Sequence, residues 1–229
     1  MVTFHPTFEM LSAYAAGSLS DGMSLLVASH ATYSAASRAT IAECDEVAGA
    51  LLGEGAHNGA CAVTCAGPES EVLVQKSVLD GVMRRIDQAE VDGEAEIAGE
   101  DVSLLPAPIR KAIARSGEGI EWKFRLPGIH EHVLTGYEGE EVSLLRARPG
   151  RRIFSHTHHG EEATLVLSGA LEDGGRIYRA GDVSLADESD DHHPQIVGDE
   201  TCVCLIVMSG GMHFTGTFGR ALNLLSRTG

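Results

Sequence analysis

The residues of this chain best suited to hold a metal ion lie in one short run. His156 and His158 are two positions apart, and Glu162 follows after a glycine at position 160. On a strand, residues two apart face the same side, so both imidazoles are expected to point inward, with Glu162 opening the next strand. Farther on, Gly181-Asp182 reads as a turn into a strand ending at Asp191-His192-His193-Pro194, which supplies His192 as a fourth ligand. Three imidazoles and one carboxylate suit a first-row divalent ion: zinc, iron, manganese or nickel. His159 and His193 have the opposite strand parity and are expected to face outward or to stand behind the ligands.

Elements must exist to bring these groups together, and the composition allows them. The chain has 229 residues, enough for one large domain or two small ones. The start, MVTFHPTFEM, lacks a charged segment followed by an apolar one, and no apolar run reaches the roughly 18 to 20 residues of a membrane span. These features predict a cytoplasmic protein without a membrane partner. The net charge of −16 repels a phosphate backbone, which argues against direct nucleic-acid binding and for a basic protein partner.

Periodicity divides the chain. Residues 8–16 have apolar positions at helical spacing and stop at Gly17, a residue that takes the left-handed conformation easily. Ser20-Asp21 offers an N-cap, and the Ala- and Leu-rich stretch from Met23 to about Leu52 reads as two helices meeting near His30 to Ser37. Residues 68–88 form a further amphipathic pattern, after which residues 89–101 turn acidic and aperiodic, as a solvated linker does. Beyond a Pro-broken apolar stretch, short segments such as EWKFRL, HEHVLTGY, EVSLLRA, ATLVLSG, DVSLA and TCVCLIVM alternate with Gly and Asp turns, the pattern of a sandwich or barrel. The expected fold is α+β and multidomain: a helical domain over 1–88, a linker and connecting segment over 89–118, and a β-barrel over 119–229.

Five cysteines in a chain with these features point to free thiols or metal ligands rather than disulfides. Cys44 is expected in a helical core. Cys202 and Cys204 share one strand face, either as interior packing groups or as redox-sensing thiols, the latter requiring a lowered pKa. His57, Cys61 and Cys65 are spaced by four and would share a helix face as an alternative ligand set, against which the surrounding Gly and Ala speak. Arg146, Arg148 and Arg152 read as surface residues, with a pocket-lining role as the alternative.

The glycines around His156, His158 and Glu162 resemble the first motif of the cupin family. The second motif departs in lacking Pro-x-Gly before its histidine. In the first half, the stretch LSAYAAGSLSDGMSLLVASHATYSAAS resembles the N-terminal domain of ChrR-type anti-sigma factors. That family has a distal His and a His-x3-Cys-x2-Cys triplet that hold one zinc between helices. Here His5 and His30 match the histidines, but Ser34 and Ser37 stand where the thiolates belong. A hydroxyl is a poor zinc ligand, so the remnant site is expected to bind zinc weakly or not at all.

The resemblance implies a negative regulator of transcription. Its helical domain would sequester an extracytoplasmic-function sigma factor and release it in response to oxidative, singlet-oxygen-like stress, with zinc in the cupin. The first 88 residues carry 4 basic and 10 acidic side chains, a charge that complements a basic sigma surface. A homo-oligomer through the cupin stays open. The competing expectation is a metal-dependent cupin enzyme, a dioxygenase or isomerase, using His156, His158, Glu162 and His192 around iron.

Overall fold

The computed structural model describes residues 2–57, 102, 104–117 and 119–215. Helix α1 (Phe8–Ala15) starts where the Thr7 side chain accepts the Met10 N–H, and it ends before Gly17, whose φ is +66°. Helices α2 (Asp21–Tyr33) and α3 (Ala35–His57) meet at Ser34, as the sequence predicts, although α3 runs five residues past Leu52. The expected helix over 68–88 and the linker over 89–101 lie outside the described residues. The Pro-broken stretch that follows is itself a helix, α4 (Ala107–Ser116), which begins after Pro106, ends at left-handed Gly117 and buries Ile109 and Ile113 one turn apart.

Eleven strands make up the second half of the described chain: β1 (Lys123–Leu126), β2 (Ile129–Leu134), β3 (Glu141–Ala147), β4 (His156–His158), β5 (Glu162–Ser168), β6 (Ala170–Asp173), β7 (Arg176–Arg179), β8 (Val183–Ala186), β9 (Gln195–Ile196), β10 (Cys202–Met208) and β11 (Met212–Phe214). They form a six-stranded sheet in the order β1-β2-β3-β10-β5-β8, a three-stranded sheet β7-β6-β9 and a pair β11-β4. The expected barrel is thus a β-sandwich with one long sheet facing two short ones. The strand expected from Asp182 to Asp191 stops at Ala186, and a turn closed by the Asp187 and Asp190 carboxylates follows it.

The central strands of the long sheet, β3, β10 and β5, are buried on both faces. Ile129, Leu145, Ala147, Val166, Cys202 and Cys204 pack inward with Leu171, Tyr178 and Ile196 of the short sheet. The alternate residues Val142, Leu144, Ala163, Leu165, Leu205 and Val207 pack outward against Met23, Leu25 and Leu26 of α2 and Ile109 and Ile113 of α4. Helices on one face and a second sheet on the other explain why ATLVLS and CVCLIVM read as continuous apolar runs rather than alternating ones. Because α2 lies between the sheet and its neighbouring helices, it is buried around much of its girth, at Gly22, Met23, Leu25, Leu26, Val27, Ser29 and His30.

The helix sits unusually close to the sheet at Gly22. A Cβ there would stand 2.7 Å from Glu140 Oε2, 2.8 Å from Val142 Cγ2 and 3.0 Å from Val207 Cγ1. Ser20 occupies the expected N-cap position but makes no capping bond of its own. Instead its hydroxyl donates to Glu140 Oε1 at 2.6 Å, and the Gly22 N–H donates to Glu140 Oε2 at 2.9 Å. A carboxylate from the β-half thus caps the helix, where unpaired N–H groups and the helix dipole favour negative charge.

Candidate metal centre

The four residues singled out by spacing meet between the sheets. One potential ligand atom from each of His156, His158, Glu162 and His192 lies within 4.8 Å of all the others. His156 and His158 sit on β4 with inward-facing, buried side chains, and Glu162 opens β5. His192 arrives by an isolated antiparallel bridge to His156, with N–H···O bonds of 3.1 and 3.2 Å in the two directions. That bridge, rather than the long strand expected, positions the fourth side chain.

Partners behind the cluster fix which atoms face its centre. His156 Nδ1 donates to the Phe154 carbonyl at 2.7 Å, and His192 Nδ1 donates to Asp173 Oδ2 at 2.7 Å, so each presents Nε2 as a lone pair. Thr164 Oγ1 donates to Glu162 Oε1 at 2.9 Å. His158 Nε2 lies 2.8 Å from His192 Nε2 and 3.2 Å from Glu162 Oε2, while its Nδ1 is buried without a hydrogen-bond partner among the described residues. Acceptors therefore crowd together with too few protons to share. A divalent cation resolves this, and tetrahedral bonds of about 2.0–2.1 Å need nitrogens only about 3.3 Å apart. The donor set fits a metal ion.

Electrostatics favour the deprotonated ligand forms for two of the imidazoles. Burial is the main cause that pushes the pKa values of His156 and His158 down to about 4, and neighbouring imidazoles add to it. At His192 burial opposes the charged form, but the Asp173 hydrogen bond and the surrounding carboxylates outweigh it and raise the pKa. Burial likewise raises the pKa of Glu162. Asp173 was not among the residues expected from sequence. Its position on β6, beside a strand pair that the sequence reading did not resolve, hid it.

The second constellation also assembles. His5 Nδ1 lies 3.4 Å from His30 Nε2, 3.3 Å from Ser37 Oγ and 3.3 Å from Ser34 Oγ. His30 Nε2 is 2.9 Å from Ser37 Oγ, and His30 Nδ1 donates to the Gly181 carbonyl of the β-half at 2.8 Å. His30, Ser34 and Ser37 are all buried.

Both halves of the chain are similar to known proteins. The family model for the ChrR Cupin-like domain matches residues 111–211. The anti-sigma-E factor ChrR of Cereibacter sphaeroides is 31% identical over 215 residues, which span 93% of this chain and 92% of that protein. The chain belongs to the ChrR family. The likeness extends to tertiary structure. A chain in the crystal structure of Rhodobacter sphaeroides SigE in complex with the anti-sigma ChrR matches with a TM-score of 0.67 at 28% identity, covering 91% of this chain and 99% of that one. A helical N-terminal half followed by a cupin sandwich is thus the ChrR architecture.

His159 and His193 are exposed, as strand parity requires. Cys44 is only half-buried rather than core, because beyond it Val47, Leu51 and Leu52 of α3 are exposed, with no described element covering them. Cys202 and Cys204 are buried on one face with sulfurs 3.6 Å apart. The hydrogen bond to Cys202 and burial push the Cys204 thiol well up, which is the packing role and the opposite of a reactive thiolate. Arg146 stacks 4.6 Å over Trp122, Arg152 donates to Gln195 at 2.7 Å, and Arg148 is exposed, so none lines the metal centre. The side chains of His57, Cys61 and Cys65 lie outside the described residues.

Proposed function

We propose that this chain is an anti-sigma factor, a negative regulator that sequesters an extracytoplasmic-function sigma factor and frees it under oxidative, singlet-oxygen-like stress. The observation that carries this reading is the match over both halves to an anti-sigma factor in complex with its sigma factor, at 31% sequence identity to the curated ChrR and a TM-score of 0.67 to the ChrR complex structure. The working division is a helical sigma-binding domain over 1–88, a connecting segment over 89–118 that contains α4, and a cupin over 119–229. Among the described residues no helix is long and apolar enough to cross a membrane, which accords with a cytoplasmic site of action.

His156, His158, Glu162 and His192 are assigned as the ligands of one divalent ion, with zinc as the favoured metal because a three-histidine, one-carboxylate set of this size suits its tetrahedral geometry. The ion would supply positive charge among lone pairs that otherwise repel. The cavity beside His156 and Glu162 offers about 30 Å³, room for water next to the ligand cluster. The regulatory relatives set the dioxygenase or isomerase reading aside.

The test is co-expression with an extracytoplasmic-function sigma factor from the same genome, followed by pull-down and metal analysis. The expected result is a stable complex carrying one metal per chain, with the ion lost from His156→Ala/His158→Ala. A chain that binds no sigma factor from its own genome would sink the reading.

A further inference from the structure

The ChrR family resemblance implies a zinc among His5, His30 and residues 34 and 37, and the side chains present there do not fit one. Two thiolates would cancel the charge of the ion, whereas Ser34 and Ser37 contribute none. A dication beside His30, Ser34 and Ser37, all within 3% of full burial, would stand uncompensated in a low dielectric. The neighbouring Asp182 carboxylate is already taken: Oδ1 accepts the N–H groups of Thr3 and Phe4 at 2.5 and 3.0 Å, and Oδ2 accepts that of Arg179 at 2.8 Å.

Without a metal, the buried side chains of His30, Ser34 and Ser37 find hydrogen-bond partners. His30 donates from Nδ1 to the Gly181 carbonyl at 2.8 Å, which leaves Nε2 to accept the Ser37 hydroxyl at 2.9 Å. The Ser34 hydroxyl donates to His5 Nδ1 at 3.3 Å, and Ser34 Oγ in turn accepts the Ser37 N–H at 3.1 Å. This arrangement needs a neutral His30, and burial indeed holds its pKa below the ordinary imidazole value. The network also reaches into the cupin. Beside it, Tyr33 donates to the Leu167 carbonyl at 3.1 Å, and Val183 N–H donates to the Phe4 carbonyl at 3.0 Å. Gly181 permits the approach: its φ is +93°, and a Cβ there would lie 2.7 Å from Tyr33 Cβ.

We propose that in this chain the zinc constellation has become a metal-free clasp, in which His5, His30, Ser34 and Ser37 satisfy one another and fasten the α2–α3 junction to the cupin turn at Gly181. The helical half then holds its shape through contact with the cupin instead of through an ion. This inference is independent of whether the cupin centre binds metal.

The test uses the full chain, dialysed against micromolar zinc and then buffer, with metal measured by mass spectrometry. His156→Ala/His158→Ala is expected to keep no zinc, and Ser34→Cys/Ser37→Cys on that background is expected to gain one equivalent. One zinc retained before the cysteines are introduced overturns the proposal; so does failure of the cysteines to capture zinc, since the serines would then not be what excludes it. Hydrogen exchange supplies the second readout. In chelator, α2 of the parent is expected to keep its protection, while in Ser37→Ala its amides and that of Gly181 exchange at least tenfold faster. Protection in Ser37→Ala equal to the parent's overturns the clasp. Should Ser37→Ala not fold, the cysteine pair serves instead, with α2 protection lost in chelator and regained with zinc.

Discussion

Asp173 touches the candidate metal centre through His192. Its carboxylate, 2.7 Å from His192 Nδ1, fixes the tautomer that turns Nε2 toward the other ligands and makes that nitrogen a stronger base. Asp173→Ala is therefore expected to weaken metal binding by roughly 10- to 100-fold while leaving the fold intact, as read by competition with a chromophoric chelator. A second prediction concerns His156, whose pKa is about 4 in the folded chain against 6.5 ordinarily. Between these values the unfolded chain binds the extra proton, so the contribution of this residue to stability is present above pH 6.5 and lost as pH falls toward 4. In chelator, His156→Gln is expected to show a shallower loss of stability from pH 6.5 to pH 4 than the parent. Equal slopes in urea titrations would contradict the assignment.

Among the elements, α2 joins the two halves. Its N-terminus is capped by Glu140, its first turn touches β3 and β10 through Gly22, and its last turn enters the His30 network. Gly22→Ala forces a methyl group against Val142 and Val207 and is expected to cost about 1–3 kcal/mol, in line with overpacking of a filled core. Gly49→Ala is the matched control, since that helical position on α3 has nothing within 4 Å of a new Cβ. There the substitution is expected to be neutral or to stabilise by up to about 1 kcal/mol. Denaturant midpoints that moved alike for the two variants would show that the close approach of α2 does not matter.

Across the whole molecule, the helical and β halves share one apolar cluster. Leu26 of α2 is fully buried with Leu144, Leu165 and Leu205 of the sheet, and Trp122 packs against the same cluster. Leu26→Ala is expected to cost about 2–5 kcal/mol. The loss should appear in the denaturation curve followed by the fluorescence of Trp122, the single tryptophan and a residue of the other half. An unchanged Trp122 midpoint would mean that the halves unfold independently. Glu162 belongs to the candidate metal cluster and also borders a hollow of about 360 Å³ lined by Met10 of α1 and Met23 of α2.

The sequence by itself pointed to the candidate ligand cluster, because strand parity and a glycine turn leave few ways to arrange His156, His158 and Glu162. It also determined α1, the α2–α3 junction and the strands β3, β5 and β10, whose patterns are local. The continuous apolar runs at 163–167 and 202–208 already held the news that the long sheet is covered on both faces, although nothing local says by what. Only the tertiary structure decided that α2 and α4 provide the cover. It alone brought Asp173 behind His192, Glu140 onto the N-terminus of α2 and the Gly181 carbonyl to His30, partners 19, 118 and 151 residues apart. Hydrogen bonds over such separations leave no periodic trace in the chain, since any acceptor brought within 3 Å would serve.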